Sequence, residues 1–199
     1  LVAQALPQPW GNGVKVVQVN GAVSHSQSPG MASATATMIA NKGRGDVTLL
    51  PTPAILEREE TKQAIESDRS IRSVLAHAAQ ADTYLFSAGP ATEVSIHVQS
   101  GYINHDDVQR LQNKGAVGDV LGRYITQEGD IADTELDNRT LGLSLESLRQ
   151  APRSFAVVSG ADKHQVALAI ARSSLATVMI MDEATATFLL DNQAKDTTP

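Results

Sequence analysis

The sequence contains no cysteine, few aromatic residues and no long apolar run. The lack of cysteine excludes disulfide bonds and cysteine-based zinc sites. Aromatic residues make up only 4% of the chain, which argues against stacking platforms for single-stranded nucleic acid. No apolar run approaches the roughly 20 residues that span a bilayer, and no signal peptide is visible. These absences indicate a cytoplasmic protein that does not bind membranes.

Several kinds of functional site are also missing. The five histidines lack a metal-ligand spacing such as His-x-x-x-His, so we expect no metal. Neither a Walker motif nor a dinucleotide fingerprint follows a strand, so no nucleotide cofactor is expected. A Gly-x-Ser-x-Gly nucleophile elbow is absent too. The formal charge of −6 makes this surface a poor partner for DNA, because binding to phosphates needs clustered lysine and arginine.

The 199 residues fit one globular domain of mixed α/β type. Residues 1–6 look like the end of a helix already under way, so we expect residues 1–199 to be a domain truncated at its N-terminus. Apolar runs rich in β-branched residues predict strands at residues 14–19, 47–50, 83–86, 120–125, 141–145, 154–158 and 177–181. Helical periodicity predicts helices at residues 31–42, 57–65, 68–79, 106–113, 163–172 and 183–190. The first should have an inner face of Met31, Ala34, Met38 and Ile39, and the third an apolar stripe of Ile71, Val74, Leu75 and Ala78, with Ser67-Asp68 as its cap. Residues 136–140 are predicted to be a polar connector. Strands thus alternate with helices along the chain. This alternation predicts a three-layer, Rossmann-like, mostly parallel sheet with helices on both faces.

The stretch Gly115–Ile125 concentrates three glycines, a carboxylate and an arginine in eleven residues. Asp119 stands where a loop is predicted to become a strand, so its side chain could face a cleft and solvent. The alternative is that Asp119 only caps a turn.

Other polar segments follow predicted strands, and ligands of parallel sheets bind beyond such strand ends. These segments are Asn20-Gly21, Ser87–Gly89 and Ser159–Lys163, which together with Asp119 could form one rim. Free N–H groups at the start of the last helix attract anions, and Lys163 adds a positive charge. It could equally be a solvated surface lysine.

Two further sets of charged residues leave alternatives open. Arg139 could clamp a carboxylate or phosphate, or it could make a structural ion pair. Asp182-Glu183 is best interpreted as a helix N-cap followed by an acid in the first turn.

Taken in order, these residues resemble the C-terminal effector-binding domain of the SorC family of bacterial transcription regulators. The sharpest piece is Gly115-Ala-Val-Gly-Asp119. The resemblance is also carried by Val17–Gly21, Leu50–Pro53, Ser70–Leu75 with Ala81-Asp82, Asn138-Arg139 with Leu141-Gly142, Gly160 with Lys163, and Asp182-Glu183 with Ala186.

The resemblance implies a fold similar to glucosamine-phosphate isomerase, ribose-phosphate isomerase and CoA transferases, used for sensing rather than catalysis. It implies a phosphorylated sugar or related metabolite as effector and assembly into a homo-oligomer, either a dimer or a tetramer. It also implies DNA binding only through an N-terminal helix-turn-helix domain that this sequence lacks. The family's first strand, with its phosphate-holding loop, is absent here as well.

The resemblance also assigns ligand-binding residues: Asn20, Gly21, Ser24, Gly89, Asp119, Gly160 and Lys163. Asp119 would accept hydrogen bonds from sugar hydroxyls, and Lys163 with the Gly160 backbone would face the phosphate. Some family members carry a positively charged arginine at the position of Asn20. Because asparagine has no charge, the inference that the effector carries a second phosphate group is weakened. The competing hypothesis is a sugar-phosphate isomerase of the same fold. Isomerisation needs a general base, and only Asp119 could supply one, with no evident second acid.

Overall fold

The computed structural model describes residues 2–21 and 31–196. The chain divides into two compact units. The first unit comprises Leu1–Ala81, Ser100–Tyr102 and Arg139–Leu143, and the second comprises Asp82–Gln99, Ile103–Asn138 and Ser144–Pro199.

The first unit pairs two short parallel strands and packs helices beside them. Its elements are α1 (Val2–Ala5), β1 (Lys15–Val17), α2 (Met31–Lys42), β2 (Asp46–Thr48), α3 (Glu59–Ser67) and α4 (Arg69–Ala79). In the register of β1 and β2, Lys15 lies opposite Asp46. The predicted bounds of α2 are confirmed, but its predicted inner face is wrong at Ala34 and Met38. Ala36 and Ala40 are buried, whereas Ala34 and Met38 are exposed, because small side chains let the helix lie close to the strands.

The core of the first unit lies beneath α3 and α4. Leu50, Leu56, Ile71 and Leu141 form its buried cluster, with Ile65, Val74 and Leu75 packed against it. The apolar stripe predicted for α4 is therefore confirmed. Asp68 caps this helix by accepting a hydrogen bond from the Ser70 N–H at 2.8 Å. Hydrogen bonds from the Ser70 hydroxyl and N–H hold the pKa of Asp68 below its ordinary value.

The second unit contains two three-stranded sheets. Its elements are β3 (Tyr84–Phe86), β4 (Ala88–Pro90), α5 (Ile96–Gln99), α6 (His105–Asn113), β5 (Gly118–Val120), β6 (Arg123–Ile125), α7 (Thr134–Arg139, whose last residue belongs to the first unit), α8 (Leu145–Arg149), β7 (Ser154–Val158), a 3-10 helix (Ala161–Lys163), α9 (His164–Arg172), β8 (Val178–Met181) and α10 (Glu183–Asp196). Strands β3, β7 and β8 are parallel in that order, and β4, β5 and β6 form an antiparallel sheet. The α/β class with mostly parallel strands is confirmed.

Three local predictions about secondary structure are wrong. The strand predicted at 120–125 is a hairpin, because Leu121 and Gly122 both take positive φ, at 56° and 83°. Two such residues make the tight turn that suits a two-residue hairpin. The polar connector predicted at 136–140 is mostly helix α7, and the alternating leucines at 141–145 form no strand. These leucines are buried outside any strand. Their burial produces the same alternation of apolar and polar residues that a half-buried strand would show.

No helix within residues 2–21 and 31–196 is long and apolar enough to cross a membrane.

Strands β4 and β5 and helix α9 meet at Gly118. A Cβ atom there would stand 2.4 Å from the Gly89 carbonyl oxygen and 2.5 Å from Cβ of Val166. Both contacts are too short, so we expect Gly118→Ala to destabilise the protein by about 1–3 kcal/mol through overpacking. Denaturant titration of both proteins measures this difference. An unchanged midpoint and slope would contradict such close packing.

Candidate functional site

Two predicted site residues, Gly89 and Asp119, lie directly opposite each other on β4 and β5. A Cβ atom at position 89 would stand 2.3 Å from Oδ1 of Asp119. A larger residue at position 89 would therefore displace the carboxylate of Asp119, which lies where that residue would place its side chain.

The Asp119 carboxylate is buried rather than facing solvent as the sequence predicted, and only 6% of the residue is exposed. The β5–β6 turn causes this burial, because the Gly122 N–H donates to Oδ2 at 3.0 Å and holds the side chain against the hairpin. The turn-capping alternative is thus correct for one oxygen. The other oxygen, Oδ1, is buried and has no hydrogen-bonding partner within the described residues.

An unpaired buried carboxylate oxygen is costly and needs an explanation. A hydroxyl or amine of a ligand would satisfy Oδ1 by donating a hydrogen bond to it. Because Oδ1 has almost no accessible surface, such a ligand reaches it only when the side chains that cover it move.

Two further polar side chains border this carboxylate. Nδ1 of His97 lies 3.8 Å from Oδ1 of Asp119 and 3.1 Å from the Tyr124 hydroxyl oxygen. Their exposed fractions are 6% for His97 and 3% for Tyr124. Burial, followed by the nearby charge of Asp119, raises the pKa of Tyr124 well above its ordinary value, so the phenol stays protonated at neutral pH. Sequence reasoning missed both residues, because His97 falls in a stretch without clear periodicity and Tyr124 fits an ordinary strand.

A second part of the site follows strand β7. Gly160 has φ of 103°, and its N–H donates to Oδ2 of Asp182 at 2.8 Å. The other oxygen of Asp182 accepts from the Thr185 N–H at 2.7 Å, which confirms the N-cap interpretation of Asp182. The hydrogen bonds from Thr185 and Gly160 lower the pKa of Asp182. Since its N–H is already engaged, Gly160 shapes this loop rather than offering its own donor.

The residues that follow Gly160 could supply donors for an anion. The first N–H groups of a helix have no partner within it, and Ala161 and Asp162, at the start of the 3-10 helix, are exposed. Lys163 ends this turn and is partly exposed. The 3-10 helix also contacts β4, the strand that carries Gly89. The structure therefore brings Gly89, Asp119, Gly160 and Lys163 into one neighbourhood of the second unit.

The remaining predicted ligand residues belong to the first unit or lie outside the described residues. Asn20 forms a β-bridge with Gly142. Gly21 is buried, and a Cβ atom on it would stand 2.2 Å from the Pro53 carbonyl oxygen. Gly21 is thus needed where the loops that follow β1 and β2 meet. Ser24 lies in residues 22–30, outside the described part of the chain.

The two arginines singled out in the sequence have structural partners. Nη1 of Arg139 donates to the carbonyl oxygens of Leu56 at 3.1 Å and Glu57 at 3.3 Å. Arg123 is buried and pairs with the Asp137 carboxylate at 2.6 Å. Across the described ranges, no cluster of three or more histidine, aspartate or glutamate side chains could hold a metal ion.

The chain matches known proteins along nearly its whole length. The family model Sugar-bind, which describes a sugar-binding domain, matches residues 1–191. The deoxyribonucleoside regulator of Bacillus subtilis (strain 168) is 29% identical over 191 residues, which are 96% of this chain and 61% of the relative. The chain thus spans less than two thirds of this relative's length.

Solved structures give the same result. The crystal structure of a domain of a "possible sugar-binding transcriptional regulator" from Arthrobacter aurescens TC1 is 30% identical, with a TM-score of 0.80 over 88% of this chain and 68% of that one. The full-length sorbitol operon regulator SorC from Klebsiella pneumoniae is 20% identical, with a TM-score of 0.86 over 95% of this chain and 62% of that one. At that identity the likeness concerns the fold alone.

Proposed function

This chain belongs to the sugar-binding domain family of SorC-type transcriptional regulators, and from that premise we propose that it senses a phosphorylated sugar or a related metabolite. In the complete protein, effector binding would change how a helix-turn-helix domain outside this chain binds DNA. The protein would act in the cytoplasm as a homo-oligomer, either a dimer or a tetramer. The matched relatives are regulators rather than enzymes, which disfavours the isomerase hypothesis.

The observation that carries the proposal is the unpaired oxygen of Asp119. A carboxylate accepts hydrogen bonds from hydroxyl groups, and sugars present several hydroxyls at once. Oδ1 is buried, and no donor among the described residues reaches it, so a sugar hydroxyl that replaces the covering side chains would remove an unsatisfied buried charge. Hydrogen bonding to this oxygen would give the site its preference for a hydroxylated ligand.

Support for a phosphate group comes from the loop between β7 and α9. Ala161 and Asp162 are exposed residues, and their N–H groups could hold an anion together with the ammonium group of Lys163. This loop contacts β4, next to Gly89 and Asp119. One sugar phosphate could therefore place a hydroxyl at Asp119 and its phosphate at Lys163. Asn20, Gly21 and Ser24 remain proposed ligand residues on the strength of the family resemblance.

The chain alone should not bind DNA. Its formal charge of −6 opposes a phosphate backbone, and the proposed DNA-binding domain lies outside it. In a fluorescence anisotropy titration at low salt, we expect no saturable binding of a labelled duplex. Sub-micromolar binding that weakens as salt rises would contradict the proposal.

A thermal-shift screen tests the proposed function directly. A ligand that binds only the folded protein raises stability by RT ln(1 + [L]/Kd). We expect at least one of ribose 5-phosphate, glucose 6-phosphate and fructose 6-phosphate to raise the melting temperature in a dose-dependent way. The unphosphorylated sugars, at equal concentration, should raise it less. An extended panel of sugar phosphates without any shift would overturn the proposal.

A further inference from the structure

Two neighbouring strands of the parallel sheet end side by side, next to the loop that is proposed to hold the phosphate. In the register of β7 and β8, Val158 lies opposite Met181, and each is the last residue of its strand. Gly160 and Asp182 follow directly after these strand ends. Because the strands are parallel, both residues leave the same edge of the sheet. A carboxylate that follows β8 can therefore reach the backbone of the loop that follows β7.

Asp182 uses both of its carboxylate oxygens on backbone donors from two different elements. Oδ2 accepts from the Gly160 N–H at 2.8 Å, and the other oxygen accepts from the Thr185 N–H at 2.7 Å. The second hydrogen bond caps α10, and the first one holds the loop. Gly160 has φ of 103° and ψ of 143°, and glycine can adopt many other conformations as well. The hydrogen bond from its N–H to Asp182 favours this conformation over the others.

A second contact with α10 holds the other end of the loop. The ring of His164, the first residue of α9, stacks on the ring of Phe188 in α10, with 4.7 Å between the ring centroids. The 3-10 helix Ala161–Lys163 lies between these two contacts. The segment that could bind a phosphate is therefore tied to α10 on both sides, and the contact that precedes it is made by a carboxylate.

We propose that Asp182 is a positioning residue of the phosphate site, which acts through the Gly160 N–H and does not touch the effector. This inference rests on the proposed function. With Gly160 held, the N–H groups of Ala161 and Asp162 and the ammonium group of Lys163 are arranged for an anion before it arrives, which lowers the cost of binding. Without the hydrogen bond, only part of the population has the loop in the competent conformation, and the apparent affinity falls by that fraction.

The sign of the effect distinguishes positioning from simple electrostatics. Hydrogen bonds from the Thr185 and Gly160 N–H groups keep the pKa of Asp182 below its ordinary value, so the side chain is negatively charged at neutral pH. If Asp182 acted only through this charge, neutralising it would strengthen the binding of a phosphorylated ligand, because like charges repel. Positioning predicts weaker binding instead, because the loop loses its hydrogen bond.

The test uses variants that keep the cap of α10 and lose the contact with Gly160. Asparagine and serine are both preferred N-cap residues, but each side chain has a single oxygen, which can serve only one of the two backbone donors. Asp182→Asn and Asp182→Ser are therefore expected to behave alike. Asp162→Asn is the charge control, because it removes another carboxylate of the same loop. Oδ1 of Asp162 lies 2.8 Å from the place that a Cβ atom on Gly160 would take.

Calorimetric titrations measure Kd for the tightest-binding sugar phosphate and for the same sugar without its phosphate. We expect both Asp182 variants to weaken the binding of the phosphorylated ligand by roughly 10-fold. The much weaker binding of the unphosphorylated sugar should scarcely change. Asp162→Asn should bind the phosphorylated ligand more tightly than the wild type does. In NMR hydrogen-exchange measurements without ligand, the Gly160 N–H should exchange faster in both Asp182 variants than in the wild type.

Three results would overturn the inference and leave the proposed function standing. The first is unchanged or tighter binding of the phosphorylated ligand by both Asp182 variants. The second is equal weakening of both ligands, because it would indicate a change in the whole pocket. The third is a loss of the same size in Asp162→Asn, because it would link the loss to charge rather than to the Gly160 hydrogen bond. If no sugar phosphate binds the wild-type protein, the proposed function fails, and the inference fails with it.

Discussion

Replacing Asp119 with asparagine should weaken the binding of a sugar phosphate by roughly 10- to 100-fold. Asparagine keeps the size of the side chain and can still accept the hydrogen bond from the Gly122 N–H. At the Oδ1 position it then presents an amide nitrogen, which donates and cannot accept from the effector hydroxyl. Calorimetric titration of the tightest-binding sugar phosphate against both proteins measures the effect.

The stability of this variant separates binding from folding. Because one buried oxygen of Asp119 has no partner in the part of the chain that the structure describes, losing its charge removes a cost of the folded state. We therefore expect the melting temperature of Asp119→Asn to equal or exceed that of the wild type. Asp130→Asn, at an exposed position of the same unit, is the matched control and should leave binding unchanged. Normal affinity of Asp119→Asn for the sugar phosphate would show that Asp119 only caps the hairpin turn.

Lys163→Ala should weaken the binding of a phosphorylated sugar by about one to two orders of magnitude. The substitution removes a charge-assisted contact to the phosphate and leaves only the N–H groups of the exposed residues Ala161 and Asp162 to hold it. The much weaker binding of the unphosphorylated sugar should scarcely change. Paired calorimetric titrations of the two ligands, on wild type and variant, measure both effects.

The control for Lys163 is Arg153→Ala, which removes one positive charge from an exposed position of the same unit. It should change neither affinity by more than about twofold, because exposed charges away from the ligand are screened by salt. Equal losses for both ligands in Lys163→Ala would show that the lysine maintains the shape of the pocket. Unchanged affinities for both ligands would show that Lys163 is a solvated surface residue that does not contact the ligand.

Strong local patterns allowed much of the fold to be predicted from sequence. The bounds of α2 and β7 agree with their predictions, and Asp68 caps α4 as expected. In each case the deciding information lies within a few consecutive residues, such as an apolar period or a capping carboxylate. The inner face of α2 was less predictable, because the strands that pack against it decide which side chains are buried.

The geometry of the site depended on interactions that the sequence does not display locally. The β5–β6 hairpin needs Leu121 at a positive φ, which leucine rarely adopts, so the pattern favoured one continuous strand. That turn buries Asp119 and places it opposite Gly89, 30 residues earlier in the chain. His97 reaches the same carboxylate only because its segment reverses the usual burial of polar and apolar residues. The sequence could identify Asp119, but it could not identify the side chains around it.

A structure of this domain with the tightest-binding sugar phosphate would test the central claim most directly. We predict a sugar hydroxyl within about 3.2 Å of Asp119 Oδ1 and the phosphate at the ammonium group of Lys163 and the N–H groups of Ala161 and Asp162. A ligand bound elsewhere, with Oδ1 still unpaired and Lys163 in solvent, would contradict the account.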